Sequence, residues 1–160
     1  IDIECKFTLV KFNNRINQVI NNLDLKEVKP LTVEDYRPDR TTALYDALGE
    51  TISQLSDQKN VLMVIVTDGH ENASQEYNHQ EVTEMLDEKQ KKNNWSYVYL
   101  CNDLKTSSQG ESLGLTNSGF ASNCIQPQSC FKSYLCKDVN MAIKNYRTKG
   151  ISVQSQLNSV

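Results

Sequence analysis

Val61-Leu62-Met63-Val64-Ile65-Val66-Thr67-Asp68-Gly69-His70-Glu71-Asn72 places six apolar residues in a row, then a carboxylate, a glycine and further polar groups. An apolar run of this length, rich in valine, reads as a strand buried on both faces, of the kind that parallel sheets carry between layers of helices. In open α/β sheets, chemistry collects beyond the carboxyl ends of the strands. Asp68 therefore falls where a site is expected. Asp68-Gly69 is equally a common turn pair that does no more than end a strand.

The flanking sequence supplies the other elements. Residues 3–12 alternate apolar positions at Cys5, Phe7 and Leu9, the period of a strand. Asn13-Asn14-Arg15 is turn chemistry, residues 16–20 read as a second strand, and Asn21-Asn22 punctuates it. The two strands form an expected antiparallel hairpin. A weakly patterned connection with Pro30 and Pro38 leads to residues 42–56, where Leu44, Leu48, Ile52 and Leu55 recur on one helical face. Thr41 or Thr42 is the expected N-cap of that helix. Asn78-His79-Gln80-Glu81 has the form of a capping box. The helix it opens carries Val82, Met85 and Leu86 inward. It ends at Lys89-Gln90-Lys91-Lys92, which suits the negative end of a helix dipole.

Residues 95–101 form an aromatic-rich strand, and residues 104–113 a helix that Gly114 stops. A short edge strand over 121–125 precedes a strongly periodic helix through Phe131, Tyr134, Leu135, Val139, Ala142, Ile143 and Tyr146, ended by Gly150. Residues 151–160 are polar and expected to fray. Strands alternating with helices predict an α/β fold, a three-layer doubly wound sandwich with a mostly parallel sheet and an antiparallel hairpin at its edge.

The 160 residues allow one domain, read here as 1–150 plus the tail. Seventeen basic residues against twenty acidic ones, net charge -3, give no broad basic surface, so nucleic acid is not an expected partner. No apolar run is long enough to cross a bilayer. Cys5, Cys101, Cys124, Cys130 and Cys136 match no zinc-finger spacing and read as reduced thiols of a cytoplasmic protein. Asn72-Ala73-Ser74 and Asn94-Trp95-Ser96 fit the glycosylation pattern and are read as chance matches.

Two segments are expected to meet at the carboxyl edge of the sheet. One is Pro38-Asp39-Arg40-Thr41-Thr42-Ala43-Leu44-Tyr45-Asp46-Ala47-Leu48, the other Val66-Thr67-Asp68-Gly69. Thr-Ala-Leu-Tyr-Asp-Ala-Leu before a helix, followed by an apolar strand ending Thr-Asp-Gly, resembles the von Willebrand factor A family. The resemblance runs from Cys5 to about Gly150 and is nearest a bacterial and phage-type subgroup. It implies a metal-ion-dependent adhesion site that holds magnesium on a cluster of loops. Thr42 matches the family's threonine ligand, and Asp68 its third-loop aspartate. A hydroxyl and a carboxylate are the hard oxygen donors that magnesium takes. The remaining position would receive an acidic side chain from a protein partner.

The family's Asp-x-Ser-x-Ser loop does not occur in this chain. Ser107-Ser108 lacks the leading aspartate and lies too late. In the family that loop follows a central first strand, so the resemblance implies a chain that lacks this strand and its helix. The expected explanations are an upstream segment, a strand supplied by another chain, or a variant that has lost the metal. The expected function is accordingly a non-enzymatic interaction domain with an incomplete metal site.

Other residues carry lesser expectations. Asp46 supports the helix rather than binding metal, and Glu71 is a solvated loop carboxylate. His70 and His79 are exposed loop and first-turn residues. Tyr97 and Tyr99 alternate with Val98 and Leu100 across two faces of a strand. The rival is a metal-dependent phosphohydrolase using Asp68 with Glu71 and Asp103, though the first strand carries no nucleophilic aspartate motif. A purely structural α/β module is the third reading.

Overall fold

The computed structural model describes residues 4–32, 34, 35, 41–101 and 104–115. The hairpin forms as the alternation predicts, with β1 (Lys6–Phe12) antiparallel to β2 (Ile16–Asp24). Asn13 turns the chain: its side-chain oxygen accepts the Arg15 amide at 2.8 Å. β2 runs beyond Asn21-Asn22, which the sequence marks as its end. Those residues are absorbed as a bulge opposite Thr8, with Asn22 in the left-handed region at φ 51°. The Asn22 amide donates to the Thr8 hydroxyl at 3.2 Å, and Val19 is a second unpaired extra residue. Asparagine tolerates that conformation, so the strand bends instead of stopping. A 3-10 turn over Leu25–Glu27 follows, with Asp24 accepting the Lys26 amide.

α1 (Leu44–Gln54) buries Leu44, Ala47, Leu48 and Ile52, the face its periodicity marks. β3 (Leu62–Val66) and β4 (Ser96–Leu100) pair in parallel, Leu62 opposite Ser96 and Val66 opposite Leu100. α2 (His79–Asn93) connects them, as a parallel pair requires. Its capping box is complete: Asn78 accepts the Glu81 amide while Glu81 accepts the Asn78 amide. Asn94 closes α2 in the left-handed region at φ 57°, a structural role that accounts for it. α3 (Leu104–Ser112) ends at Gly114, whose φ of 74° suits a residue without Cβ.

The core lies between α1, α2 and the β3–β4 pair. Leu44, Ile52, Val82, Leu86, Trp95 and Tyr97 are its buried centre, and Phe12 of the hairpin packs against it. Tyr97 donates its hydroxyl to the Leu86 carbonyl at 2.8 Å, which satisfies the polar end of a buried ring. Burial, then the nearby Asp87 carboxylate, pushes its pKa above the ordinary tyrosine value. The described residues thus form an α/β arrangement of helices, a parallel pair and an antiparallel hairpin. None of their helices is long and apolar enough to cross a membrane.

Burial of β3 departs from the expected two-sided cover. Ile65 is 5 % exposed, whereas Val64 and Val66 are 37 % and 52 % exposed. Their ladder partners Val98 and Leu100 are buried, so the open face is local to β3. The reason is topological: among the described residues β3 pairs only with β4, and β1 only with β2. The expected strand over 121–125, the helix over 131–146, the tail, and Cys124, Cys130 and Cys136 lie outside the described residues.

One-sided cover has a measurable consequence. Ile65→Ala is expected to destabilise the chain by about 2–4 kcal/mol, as cavity-forming core substitutions do. Val66→Ser is expected to change stability by less than about 0.5 kcal/mol. Urea melts of both variants check this; equal losses would show that the outer face of β3 is covered in solution.

Candidate functional site

The loop that leaves β3 turns back across the start of α1. Its departure is fixed by β4, because the Thr67 amide continues the ladder to the Leu100 carbonyl at 3.0 Å. The Thr67 hydroxyl then closes the turn, accepting the Gly69 amide and donating to the Gly69 carbonyl, each at 3.2 Å. Asp68 stands at the apex of this turn, exposed.

Thr42 comes to the same rim. A Cβ built on Gly69 would lie closer than 3.0 Å to the Thr42 hydroxyl, a separation that real Cβ atoms do not show. Only glycine lets the two loops approach this closely. The backbones are tied as well: the Thr42 amide donates to Asn72 Oδ1, and the Asn72 amide to the Thr42 carbonyl, both at 3.0 Å. The structure therefore brings Thr42 beside the turn that carries Asp68. Asn72 is committed to this clamp, which gives it a structural role unrelated to glycosylation.

Two carboxylates hold the arrangement. Glu71, expected in solvent, is instead half-buried. Its Oε2 accepts the Tyr45 amide and the Ser74 hydroxyl, and its Oε1 accepts the Ala73 and Ser74 amides. Asp46 accepts the amides of Gln75, Glu76 and Tyr77. It supports the loop and helix, as expected.

These contacts also correct the predicted cap of α1. The N-cap is Ala43, which has no side chain to offer, and neither Thr41 nor Thr42 takes that place. Glu71 accepts the Tyr45 amide and Ser74 Oγ accepts the Asp46 amide at 3.1 Å, so the cap comes from a distant loop. A carboxylate at that end also suits the helix dipole.

A second strut reaches the other side of the loop. Gln109 of α3 accepts the Glu71 amide at 2.7 Å and donates to the Tyr99 hydroxyl at 3.1 Å. His79 is more embedded than a first-turn residue is expected to be. Its ring stands edge-on to Tyr45 at 5.8 Å, and Nε2 meets the Ser112 hydroxyl at 3.1 Å. His70 is exposed. Sequence reasoning missed Gln109, Ser74 and Asn72. Their partners lie 28 to 38 residues away in the chain, so no local pattern marks them.

Thr42 and Asp68 suit a hard cation in donor type but are few. Among the described residues no three His, Cys, Asp or Glu side chains gather as a metal cage. Glu71 is poorly placed to add an oxygen, since both of its oxygens already serve the loop. Asp103 lies outside the described residues. Two protein oxygens would leave most of a magnesium octahedron to water or to other ligands. No family model, curated protein or solved structure matches this chain.

The anchoring carboxylates set an acid limit on stability. Burial alone would raise the pKa of Glu71, but hydrogen bonds from the Ser74 hydroxyl and the Ser74, Tyr45 and Ala73 amides outweigh it and hold the value below the ordinary one. At Asp46 burial likewise acts upward and is outweighed by the Gln75, Tyr77 and Glu76 amides. Both groups titrate lower folded than unfolded. Their stabilisation is complete above the ordinary carboxylate range and is lost as pH falls through the depressed folded values. Urea melts are expected to show a loss of stability beginning below about pH 4. Asp46→Asn is expected to cost about 1–2 kcal/mol at neutral pH and to make that acid decline shallower. An unchanged decline in Asp46→Asn would remove Asp46 from this account.

Proposed function

We propose that this chain forms the body of a von Willebrand A-type interaction domain, which binds a protein partner through a divalent ion, with no bond made or broken. The observation that supports this most is the close approach of the Thr42 hydroxyl to Gly69, beside Asp68. In this reading Thr42 and Asp68 are the protein's ligands to magnesium. The ion, when bound, supplies a Lewis-acidic position for an acidic side chain of the partner. The chain's own work is to hold a hydroxyl and a carboxylate from two separate loops on one rim. Its scattered cysteines suit a reducing, cytoplasmic setting.

The same reading takes the full sheet to be doubly wound, with helices on both faces, and completed by one more strand. The support is that, among the described residues, β3 pairs only with β4, the two ladders are separate, and Val64 and Val66 are exposed. A strand apolar on both faces, with Met63 and Ile65 on one and Val64 and Val66 on the other, is suited to cover on both. The added strand comes from an upstream segment or from another chain, and it would carry the remaining ligands. The phosphohydrolase alternative is disfavoured because it asks Glu71 to release the hydrogen bonds that shape the loop.

Calorimetric magnesium titration tests the reading. The 160 residues alone are expected to bind weakly or not at all. The chain extended upstream by about thirty residues, the length of a strand and helix, is expected to show a micromolar site that Asp68→Ala abolishes. A micromolar site in the 160 residues that disappears in Asp68→Ala would refute the incompleteness. Magnesium-dependent phosphatase turnover abolished by Asp68→Asn would favour the enzyme instead.

A further inference from the structure

We infer that Glu71 is the positioning residue of this rim: it sets the separation between the Thr42 hydroxyl and the Asp68 carboxylate while binding neither an ion nor a partner itself. The inference rests on the interaction-domain reading only in giving that separation a purpose. The geometry stands without it.

Glu71 and its neighbour reach α1, α3 and the Thr42 segment. The Glu71 carboxylate reaches the first turn of α1 through Tyr45 and holds its own loop through Ala73 and Ser74. The Glu71 amide is fixed to Gln109 of α3. Asn72, next in the chain, pairs with the Thr42 backbone in both directions. Gly69, two residues earlier, packs against the Thr42 hydroxyl. The path from Asp68 to Thr42 thus passes through a short span whose centre is pinned at Glu71. A shift of that residue along α1 would carry Gly69 and Asn72 with it, and so alter the gap.

The chemistry requires an ionised carboxylate. Each oxygen of Glu71 accepts two hydrogen bonds. A glutamine offers one accepting oxygen and one NH2 that can only donate. If its oxygen serves Ala73 and Ser74, its NH2 faces the Tyr45 amide, donor against donor. The loop then keeps its internal shape and its bonds to Asp46, and loses the tie to α1 that runs through Tyr45. Glu71→Gln is therefore a selective lesion, isosteric with the native side chain.

Amide resonances of the folded chain read the effect directly, with no ion present. Glu71→Gln is expected to shift Tyr45, Ala73 and Ser74, its direct partners, and also Thr42 and Gly69, which it does not contact through these bonds. Asp46→Asn is the matched control. It keeps one accepting oxygen for the Glu76 and Tyr77 amides and turns an NH2 toward the Gln75 amide, so it is expected to shift Gln75 most and its two neighbours less, while leaving Thr42 and Gly69 in place. Should Glu71→Gln fail to fold, Ser74→Ala removes one donor from the same carboxylate and is expected to move Thr42 and Gly69 in a milder form. Shifts confined to the direct partners, or equal shifts of Thr42 and Gly69 in the control, would overturn the positioning role.

In the upstream-extended chain, Glu71→Gln is expected to weaken magnesium binding about tenfold or more, as loss of a residue supporting a metal ligand does. If the extended chain binds no magnesium yet the amides of Thr42 and Gly69 respond as stated, the metal reading fails and the positioning role stands. If magnesium binds and Glu71→Gln changes neither the affinity nor those amides, the positioning role fails alone.

Discussion

The hydrogen bond from the Tyr45 amide to the Glu71 carboxylate joins the two halves of the candidate site. A helix begins with amides that have no partner inside it. Most helices satisfy them from a residue just upstream, which makes the cap local. In α1 the upstream residue is alanine, and the acceptors come from Glu71 and Ser74. The start of this helix is therefore complete only when the loop after β3 is in place. Conversely, the loop takes its shape from carboxylates that need helix and loop amides together. Helix start and loop form one cooperative piece, and the rim lies on the seam between them.

Much of the fold was legible because it depends on short-range periodicity. The Leu44–Leu48–Ile52 face, the Asn78–Glu81 capping box and the alternation through Tyr97 and Tyr99 all follow from spacings within one or two turns or a few strand residues. The close approach of Thr42 to the Asp68 turn was legible on different grounds. The family resemblance placed those two segments side by side, and β3 followed by a tight Thr-Asp-Gly turn aims the loop at the carboxyl edge. The close fit at Gly69 agrees with that placement in the geometry alone.

What was not legible depends on partners far along the chain. Asn21-Asn22 carries a turn signal, yet it lies opposite Thr8 of β1, whose hydroxyl accepts the Asn22 amide and lets the strand continue through a bulge. Glu71 looks like any loop carboxylate until α1 is folded against it. Thr41 and Thr42 have the chemistry of a cap, but Thr42 is held by Asn72 and its hydroxyl faces Gly69, so the cap position passes to Ala43. In each case a local preference yields to a hydrogen bond with a partner distant in the chain.

The open face of β3 does not loosen the rim, because none of the ties that shape the rim crosses that face. Thr67 is held by the carbonyl of Leu100, Glu71 by α1 and by Gln109, and Gln109 in turn by Tyr99. All of these lie on α1, on β4 or on α3. The hairpin adds one backbone bond, from the Ala43 amide to the Asn13 carbonyl at 2.7 Å, at the residue where α1 begins. The rim is therefore scaffolded from the α1, β4 and α3 side, while among the described residues no strand pairs with the other edge of β3. In the proposed interaction-domain reading, a strand arriving at that edge would meet a hydroxyl and a carboxylate already set in place. Its own task would be to bring further oxygens to them, with no need to fold the loop that carries them.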